Sequence, residues 1–328
     1  MREPTAITIA GVSTVETIRG AVPLDRLGPT LMHEHVFVRD PEALENYGRV
    51  WGAPIWDEEA RVADAIAKLR RLREGGIETI VDPTVYGLGR NVARLQRINA
   101  RVDLNIVVAT GVYAFLELRG FLAYRTDDQL VELFVRELRE GIDDTGVRAA
   151  FLKCAVEQHG LIGDVPRILA LVAAAAVETG APVMVHTSAP AQTGGPALET
   201  LTAAGVDPSR IVIAHAGDSN DLAYLRALAD AGAWLGCDRF NIEHFNPEAK
   251  RIETLLALLR EGYAERIHLG HDAACFMDFM AHNPPFANER PDYLHITHNV
   301  LPKLREAGVP KEQLDAMLVE NPKRFFAS

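Results

Sequence analysis

The sequence predicts an α/β fold in which residues 1–328 form one (β/α)8 TIM barrel, with a short N-terminal hairpin before it and a long loop after strand eight. Short apolar, β-branched runs alternate with longer stretches of helical periodicity, which is typical of parallel βαβ units. Eight such units joined by right-handed crossovers close most naturally into a barrel. An open doubly wound sheet is disfavoured because no G-x-G-x-x-G turn follows the first run.

The elements follow in order along the chain. A hairpin with its turn near Gly20 precedes strand one, and the eight predicted strands are residues 30–36, 77–82, 104–110, 149–154, 182–187, 210–215, 233–238 and 266–272. Helices are predicted over residues 58–73 and 165–178, since glycine follows the last turn of each. Residues 218–221 supply N-cap candidates, Asp218 and Asn220 first among them, for a helix that runs to about Ala231. The irregular stretch 273–291 is the candidate for shaping a pocket.

Bulk composition excludes several classes of partner. The formal net charge of −11 comes from 45 acidic and 34 basic residues, so we expect neither a nucleic-acid nor a membrane partner. The three cysteines are far apart in sequence, which favours a reducing compartment, and we expect a cytoplasmic protein. The longest apolar tract, residues 168–177, is about half the length that a bilayer crossing requires.

Metal-ligating residue types stand at the predicted strand ends, where a barrel builds its active site. His33 and His35 are two apart on strand one, so both side chains point to the same face, into the barrel. An H-x-H pair alone is equally well explained by two hydrogen-bonded histidines. His186, His215 and Asp272 end strands five, six and eight, however, and the five side chains together favour zinc, cobalt, manganese or iron over calcium.

Lys153 places an amine in the apolar strand FLKC, at the level of these histidines. Desolvation and nearby cations disfavour its charged form, and a neutral amine can react with carbon dioxide. The resulting carbamate has two oxygens and can bridge two metals about 3.5–4 Å apart. The alternative is a lysine that extends to solvent or pairs with Asp272.

The segments TLMHEHV, FLKCA, MVHT, IAHAGD, GCDRF, LGHDA and ENPKRFF, in this order, resemble those of the phosphotriesterase-like lactonases of the amidohydrolase superfamily. The resemblance covers nearly the whole chain. It implies two divalent metal ions per chain, zinc first. The implied ligands are His33, His35 and Asp272 on the buried metal and His186 and His215 on the exposed one, with N6-carboxylated Lys153 and a hydroxide as bridges.

The same resemblance assigns catalytic roles. Asp272 would carry the proton from the attacking hydroxide. Tyr113, in ATGVY, would lie over the metals and orient the lactone or leaving group, and Arg239, in CDRF, would lie at the pocket wall. Without the resemblance, Tyr113 is a packing aromatic and Arg239 is a salt-bridge partner that holds the loop after strand seven.

The function implied is hydrolysis of a small-molecule lactone or ester. The leading hypothesis is a lactonase for N-acyl-homoserine or related lactones, with promiscuous phosphotriesterase activity and a possible part in quorum quenching. A dedicated phosphotriesterase or carboxylesterase is the alternative, and a non-catalytic metal-binding barrel is a remote third. The resemblance also implies a homodimer.

Overall fold

The computed structural model of the chain describes residues 13–47, 56–278 and 292–327. Its strands are β1 (Thr14–Thr17), β2 (Gly20–Pro23), β3 (Thr30–Leu31), β4 (His35–Val38), β5 (Thr79–Asp82), β6 (Asn105–Gly111), β7 (Phe151–Val156), β8 (Val183–Thr187), β9 (Ile211–Ala214), β10 (Trp234–Cys237), β11 (Ile267–Leu269) and β12 (Ala274–Met277). Its α-helices are α1 (Pro41–Tyr47), α2 (Glu58–Glu74), α3 (Val92–Asn99), α4 (Asp127–Arg139), α5 (Val165–Thr179), α6 (Gly194–Ala203), α7 (Leu222–Asp230), α8 (Glu248–Arg260), α9 (Leu301–Glu306), α10 (Lys311–Asp315) and α11 (Asn321–Phe326).

Eight strands form one sheet in the order β11-β10-β9-β8-β7-β6-β5-β3. Every pairing in it is parallel, as the βαβ pattern predicts. The Met32 amide, just past β3, donates to the Leu269 carbonyl at the end of β11 over 2.8 Å, and this bond joins the two edges of the sheet. The predicted (β/α)8 barrel is confirmed.

The first predicted strand is divided. Residues 30–36 become β3 and β4, with His33 between them, and β4 pairs in parallel with β12 in a separate two-stranded sheet. The prediction of an irregular stretch over 273–291 is therefore wrong at its start, because β4 extends past the closed barrel and offers a free edge to residues 274–277. Residues 279–291, the rest of that predicted loop, lie outside the described residues.

The amino-terminal end of the barrel is closed by a floor, which we define as Val15, Leu24, Leu27, Phe325 and Phe326. The predicted N-terminal hairpin is confirmed as β1 and β2, and its turn residue Ile18 donates its amide to the Ile106 carbonyl of β6 over 2.9 Å. The floor side chains pack against apolar residues inside the barrel, Met184 and Trp234 among them. We call the opposite end, where the strands terminate, the mouth.

The helices begin and end largely as their caps predict. Helix α2 has Asp57 as N-cap and Gly75 at its end, and α5 ends at Gly180. Helix α7 is capped by Asp221, one of the four predicted candidates. The interpretation of Asp218 and Asn220 as caps is wrong, and Asp218 is buried and pairs with arginines. No helix within the described ranges combines the length and apolar character of a membrane span.

Candidate metal centre

The six predicted metal ligands meet near the mouth of the barrel, and they lie within strands β4, β7 and β8 or shortly after strands β3, β9 and β11. They are His33, His35, Lys153, His186, His215 and Asp272. All but His215 line one cavity of about 680 Å³, and His215 lies against His186. Barrel closure thus brings together side chains that are far apart in the sequence.

Three of these side chains form a compact group of nitrogen and oxygen atoms. Asp272 Oδ1 lies 3.4 Å from His33 Nε2 and 3.3 Å from His35 Nε2. Within the described residues, these three can each offer one ligand atom within 4.8 Å of the others. Two imidazoles and one carboxylate form a set that suits a transition-metal cation.

The two imidazoles of the first strand are oriented by hydrogen bonds to their other ring nitrogens. His33 Nδ1 lies 3.0 Å from Asp238 Oδ2, and His35 Nδ1 lies 2.7 Å from Thr84 Oγ1. Partners of this kind fix the tautomer of a metal-binding histidine and leave its Nε2 free. Both Nε2 atoms face Asp272 and are the ring nitrogens that a cation beside Asp272 would use.

Asp238 is a functional residue that the sequence did not single out. It also accepts from the His215 amide over 2.8 Å and faces His215 Nδ1 at 2.9 Å. Although Asp238 lies within ligand distance of His33 and His215, its oxygens already accept three N–H groups, so it orients the ligands and is not one itself. Its one sequence signal was a buried aspartate at the end of predicted strand seven.

The Lys153 amine is buried and has no hydrogen-bond partner in the described part of the chain. It neither extends to solvent nor pairs with Asp272, so both parts of the alternative interpretation are wrong. Burial lowers the pKa of Lys153 to about 8, against the opposing effect of Asp238 and Asp272. A buried amine beside the candidate ligands, with no partner in the described part of the chain and a lowered pKa, fits a site where another group binds.

Two of the candidate ligands have a strained backbone conformation. His215 has φ +66° and Asp272 has φ +55°, both in the left-handed region that non-glycine residues rarely adopt. The predicted sixth and eighth strands included these two residues, but the observed strands are shorter, because β9 ends at Ala214 and β11 ends at Leu269. Such conformations persist only where the surroundings hold them, and they are typical of functional sites.

Arg239 lies between two carboxylates at the wall of the cavity. Its Nε donates to Asp272 Oδ2 over 2.9 Å, and its Nη1 donates to Asp218 Oδ2 over 3.0 Å. Asp218 is held in turn by Arg251 of α8. Burial acts to raise the pKa of Asp272, but His33, His35, His215 and Arg239 outweigh it and hold that pKa well below its usual range.

Tyr113 lies at the outer edge of the centre, beside His186. Its hydroxyl donates to Glu157 Oε1 over 2.6 Å and lies 3.2 Å from both ring nitrogens of His186. Glu157, like Asp218, was not identified from the sequence. Its only signal was a charged residue directly after the strand that carries Lys153.

Comparison with known proteins agrees with this arrangement. A sequence profile of the phosphotriesterase family matches residues 13–326. A phosphotriesterase homology protein from Mycobacterium tuberculosis is 42% identical over 320 residues, which cover 95% of this chain and 97% of the relative. An aryldialkylphosphatase from Saccharolobus solfataricus is 34% identical over 304 residues, covering 92% and 95%. The solved structure of the phosphotriesterase from Mycobacterium tuberculosis is similar with a TM-score of 0.89 at 42% identity, covering 95% of this chain and 98% of that one.

Proposed function

The chain belongs to the phosphotriesterase family of hydrolases, and we propose that it is a metal-dependent lactonase that opens N-acyl-homoserine or related lactones and hydrolyses phosphotriesters weakly. One observation carries the metal dependence. Four imidazoles and a carboxylate converge on a buried lysine amine that has no partner of its own among the described residues. An unsatisfied amine in such a place is costly unless another group binds there.

The donor set divides naturally between two divalent cations, with zinc as the first choice. His33, His35 and Asp272 would hold the inner cation, and His186 and His215 the outer one. Lys153, after its amine adds to carbon dioxide and releases a proton, would supply a carbamate as a further ligand. Bound there, the cations supply a Lewis acid for the carbonyl or phosphoryl oxygen and lower the pKa of water.

The protein's own side chains complete the reaction. Asp272, already held at Oδ2 by Arg239, is placed to accept the proton of the attacking water. Arg239 stabilises the ionised form of that carboxylate and links it to Asp218, which Arg251 holds in turn. Tyr113 lies on the cavity wall, where it orients the lactone. No covalent intermediate with the protein is required.

A lactone is supported over other esters by two features. The segment ATGVY, which carries Tyr113, resembles that of the lactonases. The cavity is also walled on one side by apolar side chains that suit an acyl chain, namely Val38, Leu88, Ile242, Phe245 and Met277. A dedicated phosphotriesterase is the second candidate, and the similarity to an aryldialkylphosphatase favours it.

One metal-loaded preparation decides between these functions. We would measure kcat/KM for acyl-homoserine lactones, γ- and δ-lactones, aryl esters and paraoxon, together with metal content. The proposal expects about two metals per chain and the highest efficiency on a lactone. Negligible lactone turnover beside efficient paraoxon turnover would replace it with the phosphotriesterase, whereas a metal-free chain without turnover would indicate a non-catalytic barrel.

A further inference from the structure

Glu157 occupies a position that the proposed reaction leaves unexplained. It follows β7 directly, lines the cavity, and has a side chain that is 40% exposed. Its Oε1 atom faces two functional groups, the Tyr113 hydroxyl at 2.6 Å and His186 Nε2 at 3.3 Å. A single carboxylate oxygen therefore contacts both a candidate catalytic residue and a candidate metal ligand.

The ring nitrogens of the two outer histidines show what this contact does. His215 Nδ1 faces Asp238, which has no proton to give, so the ring proton of His215 lies on Nδ1 and its Nε2 is bare. Glu157 lies at the corresponding position of His186, because a carboxylate oxygen 3.3 Å from Nε2 favours the tautomer with its proton on Nε2 and a lone pair on Nδ1. His186 Nδ1 and His215 Nε2 lie 2.9 Å apart.

Two lone pairs at that distance repel unless a cation lies between them or a proton bridges them. The described contacts place a carboxylate at the far nitrogen of each ring, Asp238 on one side and Glu157 on the other. This symmetry is the reason to treat Glu157 as a counterpart of Asp238. Asp238 is fully buried and orients two ligands, whereas Glu157 is accessible from the cavity and orients one ligand and one tyrosine.

We propose that Glu157 is a positioning residue that selects Nδ1 as the nitrogen that His186 presents to the outer metal and turns the Tyr113 hydrogen away from the substrate. The inference rests on the metal dependence proposed above. With its hydrogen committed to Glu157, the Tyr113 oxygen offers a lone pair to the cavity. It therefore suits a substrate with an N–H donor beside the reacting ester, such as the amide of an acyl side chain.

The test compares Glu157→Ala and Glu157→Gln in the full, zinc-loaded chain. Glutamine keeps an oxygen that can accept from both Tyr113 and His186, whereas alanine removes the acceptor. We expect Glu157→Ala to bind the second metal about 10–100-fold more weakly, the usual effect of losing such a partner, and Glu157→Gln to stay close to the parent. Glu117→Ala, which removes an exposed carboxylate outside the cavity, is the matched control.

The readouts are metal content after dialysis against a weak chelator, the visible absorption of the Co²⁺-loaded protein, and kcat and KM on an amide-bearing and an amide-free lactone. Glu157→Ala should change the Co²⁺ spectrum and raise KM more for the amide-bearing lactone. The proposal is overturned if Glu157→Ala retains the metal content and the spectrum of the parent. It is also overturned if Glu157→Gln loses as much metal as Glu157→Ala, because the negative charge and not the acceptor oxygen would then govern metal binding.

Failure of the proposed function gives a different result. Metal content and the Co²⁺ spectrum require no substrate, so a parent chain that binds two metals but opens no lactone rejects the lactonase and leaves the Glu157 comparison intact. A parent chain that binds no metal rejects both. Thermal melting of the chelated variants separates misfolding from metal loss, because a partly exposed side chain contributes little to the core.

Discussion

The two ends of the barrel are built from the same strands yet have opposite character. At the mouth, the strand ends carry buried polar groups, an unpartnered Lys153 amine, and non-glycine residues His215 and Asp272 in the left-handed region. At the floor, Phe325 and Phe326 pack with apolar side chains inside the barrel, and Phe325 also contacts the ring of His268, whose nitrogens have no partner among the described residues. The comparison shows that the candidate metal centre carries strained backbone and several polar groups, whereas apolar packing dominates the opposite end.

Typical free energies support this difference between the mouth and the floor. A left-handed non-glycine residue costs about 1–3 kcal/mol, and a buried polar atom without a partner costs a similar amount. Burial of one large apolar side chain contributes about 1.5–3 kcal/mol. Apolar burial at the floor can therefore offset the free-energy cost of the strained and unsatisfied groups at the mouth. Substitutions at the two ends should change the free energy of unfolding in opposite directions.

The largest effect is expected from Lys153→Met. Activity should fall by more than about 100-fold, because loss of a ligand should exceed the loss caused by an outer partner of a ligand. In chelator-treated protein, the free energy of unfolding should rise by about 1–3 kcal/mol, since methionine fills the site without an unsatisfied amine. Urea denaturation and lactone turnover measure the two changes.

Opposite signs for activity and stability are the signature of a strained functional site. If Lys153→Met lowered the stability of the metal-free protein, the amine would have a structural partner, and the proposed carbamate would lose its support. Addition of excess zinc provides a control, because it should stabilise the parent chain far more than the variant.

Phe325→Ala makes the corresponding change at the floor. Phe325 is fully buried, so we expect a loss of about 3–5 kcal/mol in the free energy of unfolding. Metal content and kcat of the folded fraction should be unchanged, because the floor lies at the opposite end from the metal ligands. Phe121→Ala, at a side chain that is 58% exposed, is the matched control and should shift stability by less than about 0.5 kcal/mol. A fall in metal content with Phe325→Ala would show that the two ends are coupled.

Most of the fold could be predicted from sequence because the barrel repeats one local pattern. Apolar runs, helical periodicity and terminal glycines fix the strands and helices such as α2 and α5. The division of the first strand at His33 and the strand β12 could not be predicted in this way. Both depend on a pairing between residues 35–38 and 274–277, which lie far apart in the chain.

The predicted metal ligands could be proposed from sequence because most of them stand at or next to a strand end and Lys153 is a charged residue within an apolar strand. The residues that orient them could not. Asp238 contacts His33 across 205 positions and Glu157 contacts Tyr113 across 44, so no local pattern links them. Asp218 was misread as a helix cap because a short polar run before a helix has the same composition as a cap, whereas its real partners, Arg239 and Arg251, lie on later elements.

Asp238→Asn tests whether residues such as Asp238 orient the candidate metal ligands. One amide cannot accept from His33 Nδ1 and His215 Nδ1 at once, so one imidazole should adopt the tautomer with its proton on Nε2. Metal affinity should fall about 10–100-fold, as measured by competition with a chelator. Asp221→Asn, at the cap of α7, should leave affinity unchanged, because asparagine caps a helix as well as aspartate does. Unaltered affinity in Asp238→Asn would mean that Asp238 only packs against the ligands.

The smallest effect is expected from Glu58→Gln, which breaks an ion pair in the outer helical layer, away from both ends of the barrel interior. Glu58 accepts from Arg94 Nε over 2.8 Å and from Trp56 Nε1 over 2.9 Å. The hydrogen bond from Arg94 holds the pKa of Glu58 below its ordinary value of 4.5. Because the pKa of Glu58 is lower in the folded chain, its ionised carboxylate stabilises the fold above pH 4.5, and this contribution is lost as the pH falls through the folded pKa.

At pH 7, Glu58→Gln should therefore lower the free energy of unfolding by less than about 1 kcal/mol. In urea denaturation of chelated protein, the difference from the parent should shrink as the pH is brought below 4.5, and a difference that grew instead would contradict the assignment.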